Sequence, residues 1–141
     1  LYKVRILSYV MLIYEKIYSN YTEINAISGS ESKPSYEISK GVLKYINKNY
    51  KNKIDIDSIA KDLNISKYYM CHMFKEVTGQ TVLRHINYIR CRNARYLLKS
   101  GKYNVAQSAY LSGFSNISYF SKVYTSVYGN LPSNENKSKK E

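Results

Sequence analysis

Residues 66–79, SKYYMCHMFKEVTG, contain the side chains that most invite a reaction, because Cys71 and His72 stand next to each other. A thiol beside an imidazole suggests a nucleophile and its base. Neighbouring residues of a helix point about 100° apart, however, so the two groups do not face each other. Zinc bound by this pair with His85 and Cys91 fails too, since the latter two are six residues apart on one helix and face different ways. We therefore predict neither an enzyme nor a metal or cofactor site.

The same stretch suggests a second kind of chemistry, which is recognition of base edges by an exposed helix face. Its apolar period predicts a helix whose inward stripe consists of Tyr69, Met70, Met73, Phe74 and Val77. The side chains that this stripe leaves outside are Lys67, Tyr68, Cys71, His72 and Lys75. An imidazole can donate to guanine, and a tyrosine ring can pack on a thymine methyl. The alternative is an ordinary solvated surface.

A second copy of this stretch, NISYFSKVYTSVYG, occupies residues 116–129, fifty residues further on. Its inward stripe is Tyr119, Phe120, Val123, Tyr124 and Val127, and its outer residues are Ile117, Ser118, Ser121, Lys122 and Thr125. The stripe is maintained while the outer face changes, as expected for a duplicated unit that reads two different sites. The short helix before each copy repeats at an offset of 49 instead of 50. The turn between that helix and the second copy therefore has one extra residue, near Gly113.

Local signals predict the helix ends around both copies. Asp55 and Ser66 are suited to cap two consecutive helices, and Gly79 to end the second one. Between the copies, a run from Thr81 to Gly101 predicts a connector helix. Its predicted inward residues are Val82, Leu83, Ile86, Ile89, Ala94, Leu97 and Leu98. The connector would be roughly 28 Å long, close to the ~34 Å between successive major-groove faces of DNA.

The net charge of the chain indicates which classes of partner it could bind. It has 22 Lys and Arg against 10 Asp and Glu, a net charge of +12, which favours an anionic partner such as nucleic acid or a lipid surface. Its two cysteines form no CxxC pair, so a reducing cytoplasm is expected. No apolar run reaches the roughly 18 residues that a membrane span needs.

Residues 1–20 predict a separate, strongly apolar N-terminal helix, interpreted as a dimerisation helix at the end of a missing upstream domain. The residues proposed for dimerisation are Leu7, Val10, Met11, Ile13 and Ile17. Packing within the chain is an equal alternative, because periodicity does not separate the two. Residues 21–36 predict a linker, since they lose the apolar period and gather Ser, Gly and Pro.

Residues 38–132 resemble the DNA-binding domain of the AraC/XylS-type transcription regulators. The motif of that family's second unit stands here as Ala109, Gly113-Phe114-Ser115, Tyr119-Phe120-Ser121-Lys122 and Gly129-Asn130-Leu131-Pro132. The first unit matches at Ile59-Ala60, Leu63, Ser66, Phe74-Lys75 and Gly79. Because several fixed spacings agree together, the resemblance is specific.

The resemblance implies an all-α fold with two helix-turn-helix subdomains joined by a long connector helix. Within a DNA-binding domain at 37–132, the ranges are about 55–78 for the first subdomain, 81–99 for the connector and about 104–128 for the second, with a polar tail at 133–141. Double-stranded DNA would be the partner, with homodimers, RNA polymerase contact and activation as further expectations. Residues 1–20 would be the dimerisation helix of a missing sensor domain. The implied base-reading residues are Tyr68, Cys71, His72, Ile117, Ser118, Ser121 and Lys122, and the phosphate contacts are Lys67, Lys75, Asn116 and Thr125.

Three departures from the family pattern lie in or after the second unit. Ser108 replaces an aliphatic residue, which should soften the packing. Thr125 and Ser126 replace basic residues, which should weaken the contacts of the second unit with DNA phosphates. Residues 134–136, Asn-Glu-Asn, replace a Tyr-Arg ending and argue against a final short helix. A softened second unit keeps a second function class open, namely a protein-interaction module that binds DNA weakly.

Overall fold

The computed structural model describes residues 33–139, with residues 136–139 described by their backbone alone. The predicted N-terminal helix and its five dimerisation residues lie outside this range. In the described part, the α-helices are α1 (Pro34–Asn49), α2 (Ile56–Asp62), α3 (Lys67–Thr78), α4 (Val82–Ser100), α5 (Val105–Leu111) and α6 (Ile117–Tyr128). A 3₁₀ helix, Pro132–Lys139, follows them. No helix in this range could span a membrane.

The helix ends agree with the local signals. The side chain of Asp55 accepts a hydrogen bond from the backbone N–H of Asp57, and that of Ser66 accepts one from Tyr69. Gly79 ends α3 in the left-handed region at φ 71°, where a residue without a Cβ is least strained. The predicted caps of α2 and α3 are therefore confirmed. Helix α1 begins at Pro34, inside the predicted linker, because proline suits a first helical turn.

Two hydrophobic cores lie along the connector helix α4. The first core consists of Val42, Ile46, Ile59, Ala60, Met70, Phe74, Val82, Ile86 and Ile89. The second core consists of Cys91, Ala94, Leu98, Ala109, Phe114, Phe120 and Tyr124. Helix α4 supplies residues to the first core up to Ile89 and to the second core from Cys91 onward. The all-α fold with two helix-turn-helix subdomains on one long helix is thus confirmed for the described residues.

The turn inside each helix-turn-helix contains one residue in the left-handed region. In the first turn, residues 63–66, this residue is Asn64 at φ 54°, and in the second turn, residues 112–116, it is Gly113 at φ 92°. The second turn is one residue longer, as the change of offset predicted. Glycine is needed there for a second reason, because a Cβ on Gly113 would lie 2.5 Å from the carbonyl oxygen of Tyr50.

Some residues predicted to face inward are exposed. Tyr69 and Val77 of α3 are 42% and 41% exposed, and Leu83 of α4 is 51% exposed. The prediction is wrong for these three residues, because an apolar stripe on a helix can be wider than the arc that its neighbours cover. In α3 that arc is centred on Met70 and Phe74, which are fully buried.

The C-terminal 3₁₀ helix packs against α4 and α6, so the expectation that a final short helix is absent is wrong. Its anchor is Glu135, which is buried and accepts a hydrogen bond of 2.9 Å from the hydroxyl of Tyr124. Arg95 Nε lies 2.9 Å from the same carboxylate, in an ion pair not aligned as a hydrogen bond, and Lys99 Nζ lies 3.9 Å away. A carboxylate therefore attaches this segment to the second core.

Candidate nucleic-acid interface

The first face is the outer side of α3, formed by Lys67, Tyr68, Cys71, His72 and Lys75. Tyr68 is 82% exposed, and His72 and Lys75 are exposed as well. The rings of Tyr68 and His72 lie one turn apart, with centroids 6.3 Å from each other. Cys71 differs from the prediction of full exposure, because it is half-buried and packs on the first core. Tyrosine, imidazole and ammonium groups therefore stand together on a surface open to a ligand.

Lys67, at the start of the first face, is paired within the protein. Its Nζ lies 2.8 Å from Asp57 Oδ2 of helix α2. The hydrogen bond to Lys67 lowers the pKa of Asp57, and the same bond raises the pKa of Lys67. Because both side chains are about half exposed, a DNA phosphate can compete with the carboxylate for this ammonium group.

The second face is the outer side of α6, formed by Ile117, Ser118, Ser121, Lys122 and Thr125. Ile117, Ser118 and Lys122 are exposed, whereas Ser121 and Thr125 are half-buried. The Thr125 hydroxyl donates to the backbone carbonyl of Ser121 at 2.9 Å, so it already has a partner. This face has one basic side chain where the first face has two lysines.

Asn116, predicted as a phosphate contact, is the N-cap of α6. Its Oδ1 accepts a hydrogen bond of 2.8 Å from the backbone N–H of Tyr119. The first unit uses Ser66 in the same way at the start of α3. A capping oxygen of this kind stabilises the helix end, because it pairs a backbone N–H that has no partner within the helix. The side chain of Asn116 therefore has a structural role in the free protein.

The start of α4 lies between the two faces. One groove is lined by Tyr68, Cys71, His72 and Lys75 of the first face together with Thr81 and Leu83. A second groove is lined by Lys122 of the second face, by further α6 residues and again by Thr81 and Leu83, with Arg84 and Asn87. The two faces are thus joined through the first turn of the connector, which the sequence had not indicated because these residues lie on different helices.

Asn87 and Tyr119 fix α6 against the connector. Asn87 Nδ2 donates to the Tyr119 hydroxyl at 2.8 Å, between residues that are 32 positions apart. Tyr119 is 45% exposed, although the apolar stripe predicted an inward position. Its hydroxyl explains the difference, because a tyrosine can keep its polar tip at the surface while its ring packs on its neighbours.

The connector's cationic side chains have different environments. Arg95 and Lys99 lie near the carboxylate of Glu135. The guanidinium of Arg90 donates to backbone carbonyls of the first unit. Arg92 is exposed. On the same helix, burial raises the pKa of the Cys91 thiol to about 12, so Cys91 stays protonated at neutral pH.

Comparison with known proteins assigns the chain to a family. The profile of a helix-turn-helix domain family matches residues 59–138, which is more than half of the chain. The Msm operon regulatory protein of Streptococcus mutans is 32% identical over 92 residues, which cover 65% of this chain and 33% of that protein. The chain matches less than half of the length of such curated relatives.

Solved structures share the fold. A probable AraC family transcriptional regulator from Rhodopseudomonas palustris superimposes with a TM-score of 0.68 at 25% identity, covering 72% of this chain and 96% of that one. The C-terminal domain of AraT, a response regulator from Geobacillus stearothermophilus, gives a TM-score of 0.69 at 25% identity, covering 78% and 89%. With the two faces, their shared connector and the matched profile, this chain belongs to the AraC/XylS family of helix-turn-helix transcription regulators.

Proposed function

We propose that this protein is a sequence-specific regulator that inserts α3 and α6 into two adjacent segments of the DNA major groove. The observation that carries the proposal is the pair of equivalent exposed helix faces meeting at the first turn of one connector helix. At about 1.5 Å per residue, α4 is roughly 28 Å long, which is close to the ~34 Å between successive major-groove faces on one side of a duplex. The net charge of +12 suits a polyanionic partner.

Base recognition is assigned to the exposed centre of each face. On the first face these residues are Tyr68, Cys71 and His72, and on the second they are Ile117, Ser118, Ser121 and Lys122. His72 and Lys122 would donate to guanine, the serines can serve either base type, and Tyr68 and Ile117 would pack on thymine methyls. Half-buried Cys71 and Ser121 would contribute through their exposed edges.

Phosphate contacts are assigned to Lys67, Lys75, Asn116 and Thr125, which flank the base-reading positions. These contacts set affinity and register and carry little sequence information. Three of the four have partners in the free protein, so binding would exchange or share those bonds. Lys75 is exposed and makes no such bond to any of residues 33–139, and we expect it to be the strongest phosphate contact of the set.

The whole protein is proposed to be a bacterial, cytoplasmic transcription activator. Homodimerisation through residues 1–20 would place two copies on repeated sites, and contact with RNA polymerase would follow from activation. Catalysis is not part of this proposal. The AraC/XylS membership of the chain supports these roles, since regulators of this family usually activate transcription.

Selection of bound sequences from a random duplex pool tests this function. We expect two enriched blocks about one helical turn apart, with an affinity that falls steeply as salt increases. A single short block would mean that only α3 reads bases. Absence of enrichment would reject the proposal and favour the protein-interaction module, a role consistent with the single basic residue on the second face.

A further inference from the structure

The side chain of Arg90 connects the connector helix to the first unit. Its Nε donates to the carbonyl oxygen of Tyr50 at 2.8 Å, and its Nη2 donates to that of Asn52 at 2.8 Å. These carbonyls belong to the loop between α1 and α2, some 40 residues away in the chain. A planar guanidinium can make two such bonds at once, so the loop is fixed in direction as well as in distance.

The same side chain contacts the second unit. Its guanidinium carbon lies 5.8 Å from the centre of the Phe114 ring, in the turn between α5 and α6. The neighbouring residue of that turn, Gly113, comes so close that a Cβ there would lie 3.0 Å from Arg90 Nε and 2.5 Å from the Tyr50 carbonyl oxygen. The turn that orients α6 therefore rests on the loop that Arg90 holds.

Arg90 also occupies a special place along α4. It stands between Ile89, the last residue that α4 gives to the first core, and Cys91, the first that it gives to the second. Among the described residues, the units are also joined by α4 itself, by the Asn87–Tyr119 hydrogen bond and by the close approach of Gly113 to the Tyr50 carbonyl. Long helices curve gently along their length, so one helix alone defines the relative orientation of the two units less exactly than two attachments do. The attachment through Arg90 across the junction restricts that orientation further.

We propose that Arg90 is a positioning residue that locks the two helix-turn-helix units in one relative orientation, and thereby sets the spacing of the two DNA blocks that the protein recognises. This inference rests on the proposed function for its DNA readout. Its structural part, a fixed orientation of α3 relative to α6, can be measured without DNA.

The test compares Arg90→Ala with Arg92→Ala, which removes an exposed arginine from the same helix. Duplexes carrying the two selected blocks are prepared with the natural spacer and with spacers one or two base pairs longer or shorter. We expect the unmodified chain and Arg92→Ala to lose affinity at least about tenfold when the spacer changes, a cost comparable to one or two mismatched base pairs. Arg90→Ala should lose less than about threefold, while its affinity for a single isolated block stays unchanged.

Residual dipolar couplings of the full 141-residue chain provide the readout that needs no DNA. In the unmodified chain and in Arg92→Ala, α3 and α6 should share one alignment tensor. In Arg90→Ala the two tensors should differ. The conservative variant Arg90→Lys, whose ammonium lacks the planar fork, should give an intermediate result in both experiments.

The outcomes separate this inference from the proposed function. If the unmodified chain selects no paired blocks, the proposed function fails, and the couplings alone decide whether Arg90 locks the units. If Arg90→Ala keeps one tensor and the same spacer dependence as Arg92→Ala, the inference is overturned. If Arg90→Ala fails to fold, Arg90→Lys decides, and unchanged couplings and spacer dependence in that variant would equally overturn it.

Discussion

The two helix-turn-helix units use the same positions with different chemistry. At an offset of fifty residues, Phe74 corresponds to Tyr124 and His85 corresponds to Glu135. In the first unit the His85 ring lies edge-on to Phe74, with centroids 5.8 Å apart. In the second unit the Tyr124 hydroxyl donates to the Glu135 carboxylate, which also pairs with Arg95. The duplication has thus preserved which residues touch, while the type of contact has changed.

The difference shows how each core is closed. The first core is covered by α1, a helix of 16 residues that buries Val42 and Ile46. The second core is covered by the 3₁₀ helix, in which Glu135 is buried against the cations of α4. A core that is closed by apolar side chains tolerates many substitutions between apolar residues. A core that is closed by a buried carboxylate is destabilised when a partner of that carboxylate is removed. We therefore expect the two units to respond differently to equivalent substitutions.

The largest contrast is expected at one aligned position, Ile59 in the first unit and Ser108 in the second. Both residues are fully buried, and the Ser108 hydroxyl has no hydrogen-bond partner among the described residues. Ile59→Ala should lower the free energy of unfolding by about 2–5 kcal/mol, because it leaves a cavity. Ser108→Ala should raise it by up to about 1 kcal/mol, because it removes an unsatisfied polar group. Urea unfolding measures both changes, and a destabilising Ser108→Ala would mean that its hydroxyl is bonded.

Glu135→Ala should come next in size and should affect the second unit. Removing the carboxylate leaves the buried Tyr124 hydroxyl without its acceptor and Arg95 without its counter-ion, at a cost of about 1–3 kcal/mol. Glu76→Ala, which removes an exposed carboxylate from α3, should change stability by less than about 0.5 kcal/mol. Hydrogen exchange should place the loss in α6 and the end of α4. Equal effects of the two variants would show that Glu135 does not anchor the 3₁₀ helix.

Two lysines test the two roles assigned to the faces, which are base recognition by Lys122 and phosphate contact by Lys75. Lys122→Ala should cost about 1–3 kcal/mol of binding at one base pair of the site and relax the preference there, if its contact is bidentate. Lys75→Ala should weaken binding to all sequences alike and reduce the salt slope by about one. Lys44→Ala, on the exposed side of α1, is the control. Unchanged base preference in Lys122→Ala, or a sequence-dependent loss in Lys75→Ala, would reject the corresponding assignment.

The smallest effect is expected from His85 as the pH changes. Burial, helped by the charge of Arg92, lowers the pKa of His85 in the folded protein. The unfolded chain therefore binds a proton at His85 more readily than the folded protein does. The contribution of His85 to the free energy of unfolding is fully present above about pH 6.5 and is lost as the pH falls through the folded pKa. The urea midpoint should fall between pH 7 and 5 more steeply in the unmodified chain than in His85→Gln. Parallel pH profiles would contradict the assignment.

Local rules predicted much of the fold but little of what connects its parts. Ser66 and Gly79 act on groups within four residues, so their types and spacing were sufficient to place the ends of α3. Glu135 and Arg90 bond to groups 11 to 40 positions away, and nothing beside them in the sequence indicates those partners. Periodicity predicted the buried centres of α3 and α6. It did not find the limits of the buried arc, because those depend on neighbouring helices, as exposed Val77 illustrates.

The division of α4 between the two cores has a consequence for recombination between relatives. A chain that exchanges its second helix-turn-helix unit with another member of the family exchanges half of a helix. Each core then remains complete only if the junction lies between Ile89 and Cys91. A junction placed in the loops after Gly79 or Gly101, where domain boundaries are normally sought, would combine core residues from two different proteins. The natural unit of exchange in this fold therefore begins in the middle of the longest of the described helices.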